Sequence, residues 1–144
     1  MSGTTNVPGV CIIMKHAGKV LFVLRSNTGF KDGEYGVPGG HVEDDETFKQ
    51  AACREAMEET GVHIRPEDLV YKCTVHRKSV DDIRIDVWFE AMSWQGDPVN
   101  NEPDRHSGIE WFAPQELPKN TMDYMHFGLD VIADGQTYGE FNWQ

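Results

Sequence analysis

Arg54-Glu55-Ala56-Met57-Glu58-Glu59-Thr60-Gly61 is a helical stretch built against its own stability. The spacing predicts a helix over residues 46–60, started by Asp44 or Asp45 as cap and stopped by Gly61. On that helix Glu55 neighbours Glu58 at i+3 and Glu59 at i+4, so three carboxylates share one stripe. Each like-charge pair costs a few tenths of a kcal/mol. All three sit in the last turns, where the helix dipole disfavours anions by roughly 0.3–1 kcal/mol each. Phe48, Ala52 and Ala56, with Ala51 beside them, supply the apolar stripe of the same helix. The acidic stripe is either a solvated face or a set of hard oxygen donors for a divalent cation. Just upstream, Pro38-Gly39-Gly40 permits close backbone approach. Glu46, at the expected helix start, reads as dipole compensation and capping support.

Outward from this helix, apolar runs at residues 10–14 and 20–24 flank a glycine-containing turn and read as a hairpin. Residues 26–40 hold five glycines and Pro38, a long irregular loop of the kind that usually carries function. Residues 70–75 and 83–92 read as strands. In the second, Ile83, Ile85, Val87 and Phe89 alternate with more polar neighbours, the pattern of a half-buried strand. A polar loop at 96–108, a short strand at 109–112 and a helical turn at 114–117 follow. The last helix is expected over 122–133, with Met125, Leu129 and Ile132 on its inward face and Gly135 as its stop. Strands mixed with two helices make an α/β domain, helices packed on a mixed β-sheet.

The chain has 144 residues with no linker or repeat, the size of one domain spanning 1–144. Thirteen basic against 24 acidic residues give a net charge of −11. That sign opposes binding to nucleic acid or an anionic membrane, and an anionic substrate would need a cation to mediate. Cys11, Cys53 and Cys73 are far apart and odd in number, which argues against a disulfide framework and suits a reducing cytoplasmic location. No apolar run is long enough for a transmembrane helix.

Taken together, Gly40-x5-Glu46-x7-Arg54-Glu55-Ala56-x-Glu58-Glu59-x-Gly61-Val62 resembles the Nudix box, the signature of the Nudix hydrolases. Ala56 is the one departure, standing where the family has a bulky aliphatic residue. The segments at 35–40, Trp94-Gln95-Gly96 and Asn101-Glu102-Pro103-Asp104-Arg105 resemble the MutT-like, nucleotide-cleaning branch. The resemblance implies a Nudix-type α/β/α sandwich. It also implies hydrolysis of a nucleoside diphosphate linked to a further group, by water attack on phosphorus with Mg2+ (or Mn2+). Glu58 and Glu59 would be principal metal ligands, assisted by a carbonyl at Gly39 or Gly40. Glu55 would be a further ligand or the general base, and Arg54 would hold it in place.

Glu102, with Asp104 second, matches an acidic residue that many relatives place on a later loop. Arg25 matches a basic residue that often faces substrate phosphates; a strand-end arginine keeping its head in water is the alternative. Base recognition would draw on Tyr35, Phe30, Trp111 and Asp123, with Gly39 approaching the substrate through its backbone. The six histidines show no metal-ligand spacing, and His41 lies nearest the site. The implied substrate is a small-molecule nucleotide, the assembly a monomer or homodimer. The favoured activity is nucleoside triphosphate pyrophosphohydrolysis, oxidised or damaged dNTPs included, releasing NMP and pyrophosphate. The alternatives are another diphosphate, such as ADP-ribose or a nucleotide sugar, and a non-catalytic nucleotide-binding module. The intact Glu58-Glu59 pair speaks against the last.

Overall fold

In β1 (Asn6–His16), alternate side chains feed two different cores. Val10, Ile12 and Met14 point to one face of the sheet, Cys11 and Ile13 to the other, and all are buried. A strand covered on both faces reads as a continuous apolar run, as residues 10–14 do. The computed structural model describes residues 4–144.

The remaining strands are β2 (Lys19–Arg25), β3 (Tyr35–Gly36), β4 (Gly39–His41), β5 (Leu69–Lys78), β6 (Ile83–Ala91), β7 (His106–Phe112) and β8 (Tyr138–Phe141). They run in the order β3-β2-β1-β6-β5-β8, with β4 paired to β1 and β7 to β2. The β1–β6 and β5–β8 pairs are parallel and the others antiparallel, so the sheet is mixed. Helix α1 (Phe48–Thr60) lays Ala51, Ala52 and Ala56 on Val10, Ile12, Met14 and Leu21. Helix α2 (Asp123–Ala133) lays Tyr124, Met125 and Val131 on Ile13, Phe22, Val75 and Trp88 across the other face. The result is an α/β/α sandwich. Ile12, Ile13, Met14, Leu21 and Phe22 are essentially fully buried, each contributing about 1.5–3 kcal/mol of transfer free energy.

Several expectations are corrected. The cap of α1 is Thr47, not Asp44 or Asp45: its hydroxyl accepts from the Gln50 N–H, and the Gln50 side chain accepts from the Thr47 N–H. Glu46 therefore stands outside the helix. The segment read as a loop at 26–40 contains β3 and the first two residues of β4, strands too short to leave a periodic signal. The turn at 114–117 is not helical; the short 3₁₀ helix is Pro66–Asp68, where Pro66 supplies the first position. Strand β6 is covered on both faces, because Asp86 and Trp88 are buried opposite Phe89. The inward face of α2 centres on Gly128 rather than on Leu129 and Ile132, which are half-buried. A Cβ at Gly128 would overlap the Trp88 indole, so the glycine sets how closely α2 approaches the sheet. Strand β8 went unexpected.

Candidate active site

Helix α1 ends where the sequence says it should: Gly61 has φ 75° and donates its N–H to Met57 O at 2.9 Å. The terminal carbonyls of Met57, Glu59 and Thr60 also accept from a loop distant in sequence. Val99 N–H donates to Thr60 O, Asn101 N–H to Glu59 O and Asn101 Nδ2 to Met57 O, at 2.9, 3.0 and 3.1 Å. These bonds supply the orphan acceptors of a helix end, and they deliver the next residue, Glu102, to the acidic stripe.

From the sheet, β4 closes against the same stripe. A Cβ on Gly40 would overlap the Glu55 carboxylate, so only glycine lets the strand lie this close. The Gly39 N–H donates to Glu59 Oε2 at 3.2 Å. Arg54 sits at the centre of the cluster. Its Nε and Nη2 grip Glu46 Oε2 and Oε1 at 3.0 and 2.6 Å, while Nη1 reaches Glu55 at 2.6 Å and Glu58 at 3.1 Å. Nη2 also donates to His41 O at 3.0 Å, tying the helix to β4. The planar fork thus goes to Glu46, and Glu55 is held through the third nitrogen.

Glu59 is only 4 % exposed. Burial first, then the hydrogen bond and repulsion from Glu55, push its carboxyl well above the usual carboxylate range. Glu102 is also raised, by burial and by Glu55 and Glu58. His106, at the start of β7, is 4 % exposed. Its Nε2 lies 3.7 Å from Glu59 Oε1 and its Nδ1 3.9 Å from Glu102 Oε1. Nδ1 is buried with no hydrogen-bond partner among the described residues. Burial, with Arg25 and Arg105 nearby, lowers its pKa to about 4, so it is neutral between the two acids. His106 was missed in the sequence, because it falls in the segment read as a polar loop, where spacing to Glu102 carries no signal.

A buried carboxylate with one backbone donor, crowded by further carboxylates, offers hard oxygen donors of the kind a divalent cation takes. The residues therefore fit Mg2+ or Mn2+. No three acidic, histidine or cysteine side chains among the described residues already surround a common point; Glu55 and Glu58 each turn an oxygen to Arg54.

The stripe opens into a cleft of about 580 Å³. Arg25, Gly39, Gly40, Arg54, Glu55, Glu58, Glu59 and Glu102 all line it, so the structure brings these sequence candidates together. Arg25 donates from Nε to Phe30 O at 2.8 Å and lies over the Phe30 ring. Tyr35 does not line the cleft: it packs edge-on against Phe112, ring centres 4.9 Å apart. Asp123 lies instead in a smaller neighbouring pocket of about 110 Å³. Phe30 lines both, while Trp111 lines neither and packs beside the α1 core. Besides His106, the sequence reading missed Arg77, Asp86 and Tyr124, which form part of the cleft lining.

Residues 5–129 match the NUDIX domain model. The chain belongs to the NUDIX family. It is 27% identical, over 92% of its own length and 84% of the relative's, to the oxidized purine nucleoside triphosphate hydrolase of Danio rerio. It is 38% identical to the phosphatase NudJ of Shigella boydii, with 96% and 93% of the two chains covered. The MutT NUDIX hydrolase of Burkholderia pseudomallei superposes with a TM-score of 0.80 at 26% identity, over 88% of this chain and 97% of that one. The protein is thus a Nudix hydrolase, with the α/β/α fold of that family. Among the described residues no helix is long and apolar enough to cross a membrane.

Proposed function

We propose that this Nudix hydrolase cleaves nucleoside triphosphates, oxidised or otherwise damaged dNTPs among them, to NMP and pyrophosphate. The observation that carries the reading is one cleft joining two unlike walls: the acidic end of α1 with the Gly39–Gly40 strand, and the ring of Tyr124 with Arg77. A phosphate chain suits the first wall, given a cation, and a planar ring suits the second. Similarity to a purine triphosphate hydrolase over most of both chains supports the same reading.

Glu55, Glu58, Glu59 and Glu102, with the Gly40 carbonyl, would hold Mg2+ or Mn2+. The bound ion would neutralise phosphate charge and lower the pKa of the attacking water. The remaining work falls to the protein. Arg54 fixes Glu55 and Glu58, Arg25 faces the phosphates from the cleft edge, and an α1 carboxylate takes the proton as water adds to an internal phosphorus. The bond between that phosphorus and the oxygen bridging the α- and β-phosphates breaks, separating NMP from pyrophosphate.

Chromatography of a dGTP digest with Mg2+, run in ¹⁸O water, tests the assignment. The expected products are dGMP and pyrophosphate. Similarity to a protein named as a phosphatase favours a second reading, removal of the terminal phosphate. In that case dGDP and orthophosphate would be the primary products, and the proposed bond would be wrong. Failure to turn over any triphosphate, with rapid cleavage of ADP-ribose, would overturn the substrate class.

A further inference from the structure

The cleft contains a second polar feature that the hydrolytic chemistry leaves unused. On adjacent strands β5 and β6, Arg77 Nε donates to Asp86 Oδ2 at 2.5 Å, with both side chains 7% exposed. The guanidinium sits over the Tyr124 ring, its central carbon 3.7 Å from the ring centre. Arg77, Asp86 and Tyr124 all line the cleft, with Met122 and Met125 as apolar neighbours.

A buried ion pair is poor evidence of stabilisation, because desolvation offsets most of the Coulomb attraction and apolar replacements are often as stable. This one is also incompletely used. Arginine carries five N–H donors, and among the described residues only Nε makes a hydrogen bond. Asp86 Oδ1 has no hydrogen-bond donor among those residues either. Oδ1 lies against Gly9, where a Cβ would stand 2.8 Å from Oδ1 and 3.4 Å from Gly40 O, so only glycine leaves the carboxylate this position at the cleft wall. These free atoms are not sealed in the core: Arg77 and Asp86 belong to the cleft lining, where a ligand can reach them, and a polar group with no partner there gains from one. A cleft that presents both side by side is completed by a ligand with the opposite pattern.

We infer that Arg77 and Asp86 read the ring of the nucleotide, selecting bases that present a carbonyl oxygen beside a ring N–H. This inference rests on the nucleotide reading of the cleft. The terminal guanidinium nitrogens donate to the carbonyl, Asp86 Oδ1 accepts from the adjoining N–H, and Tyr124 backs the arginine. On adenine the same two positions hold an exocyclic amine, which donates, and a ring nitrogen, which accepts, so in the same pose both Arg77 and Asp86 are mismatched. Guanine, hypoxanthine and uracil carry this edge; adenine does not. Arg77 and Asp86 are thus specificity residues, remote from the bond that breaks.

Two variants test it. Asp86→Asn keeps the shape but places an amide where Oδ1 accepts. Gly9→Ala keeps both charges and sets a methyl group against Oδ1, so the test survives if Asp86→Asn fails to fold. The readouts are the ratio of kcat/KM for dGTP and dATP, and metal-free calorimetric binding of GMP and AMP. The wild type is expected to bind GMP at least tenfold tighter than AMP, and each variant to reduce the dGTP/dATP ratio at least tenfold. Equal wild-type binding of GMP and AMP overturns the inference, as does an equal loss for both nucleotides in the folded variants. A retained GMP preference in an enzyme that hydrolyses no triphosphate would overturn the triphosphate reading alone.

Discussion

Arg54 grips Glu46 with two arms of its guanidinium, Nε 3.0 Å from Oε2 and Nη2 2.6 Å from Oε1. The side chain that orients Glu55 is therefore itself anchored by an acid eight residues earlier, outside the helix. Glu46 in turn is fixed by the Glu43 N–H at 2.9 Å. Lysine cannot reproduce a planar fork that holds one carboxylate bidentately and another through its third nitrogen. Arg54→Lys is expected to lower kcat/KM by about 10–100-fold, the usual range for a residue that positions metal ligands. Glu46→Gln should lower it less, since the amide oxygen still accepts one bond. Steady-state kinetics on the two variants checks this, and full activity in Arg54→Lys would show that its charge alone matters.

A second test concerns the fold. Replacing a helical glycine by alanine normally stabilises an exposed helix by about 1 kcal/mol. At Gly128 the new Cβ would overlap the Trp88 indole, and overpacking a core costs about 1–3 kcal/mol. The clash should win. Gly128→Ala is expected to lower the melting temperature, whereas a variant as stable as the wild type would show that α2 can move off the sheet freely.

What could be read in the sequence follows from the range of the forces involved. Helix α1, its Gly61 stop and the carboxylate stripe are local, each set within a few turns of one element. The both-face burial of β1 shows as an unbroken apolar run. The true cap was missed because Asp44, Asp45 and Thr47 are all competent by type, and the Gln50 partner decides between them. Asp86 looked like the outward member of an alternating strand. It is buried because Arg77, on the next strand, pairs with it, a contact without local signature. Strand β8 is four residues long and gains order from pairing with β5. Glu102 could be named in advance, but its placement depends on a loop that caps α1 from forty residues downstream.

Glu59 is expected to make the metal-free protein sensitive to pH. Its carboxyl is raised in the folded state, so over the range between its unfolded and folded pKa the native protein binds more protons. Stability contributed by Glu59 is fully present below the unfolded value and is lost as pH rises through the folded one. With chelator present, Glu59→Gln should melt at or above the wild type at neutral pH and should lack that dependence. Its hydrolysis should fall at least about a hundredfold, the scale of losing one electrostatic element of a site. Near-wild-type turnover at saturating Mg2+ would remove Glu59 from the ligand set.

His106 has the opposite sign. Its pKa falls from 6.5 to about 4 on folding, so between those values the unfolded chain holds the extra proton and stability declines as pH drops. A shift of that size is worth at most about 3 kcal/mol, lost progressively as pH falls from 6.5 through 4. His106→Gln removes the titrating group while keeping a polar side chain beside Glu59 and Glu102. Chemical denaturation in chelator at pH 7.5, 6 and 4.5 should show the variant losing less stability on acidification than the wild type, with the gap opening below pH 6.5. Parallel declines in the two proteins would mean that the imidazole is hydrated and free to protonate in the folded state. In that case it would not stand neutral between the two carboxylates.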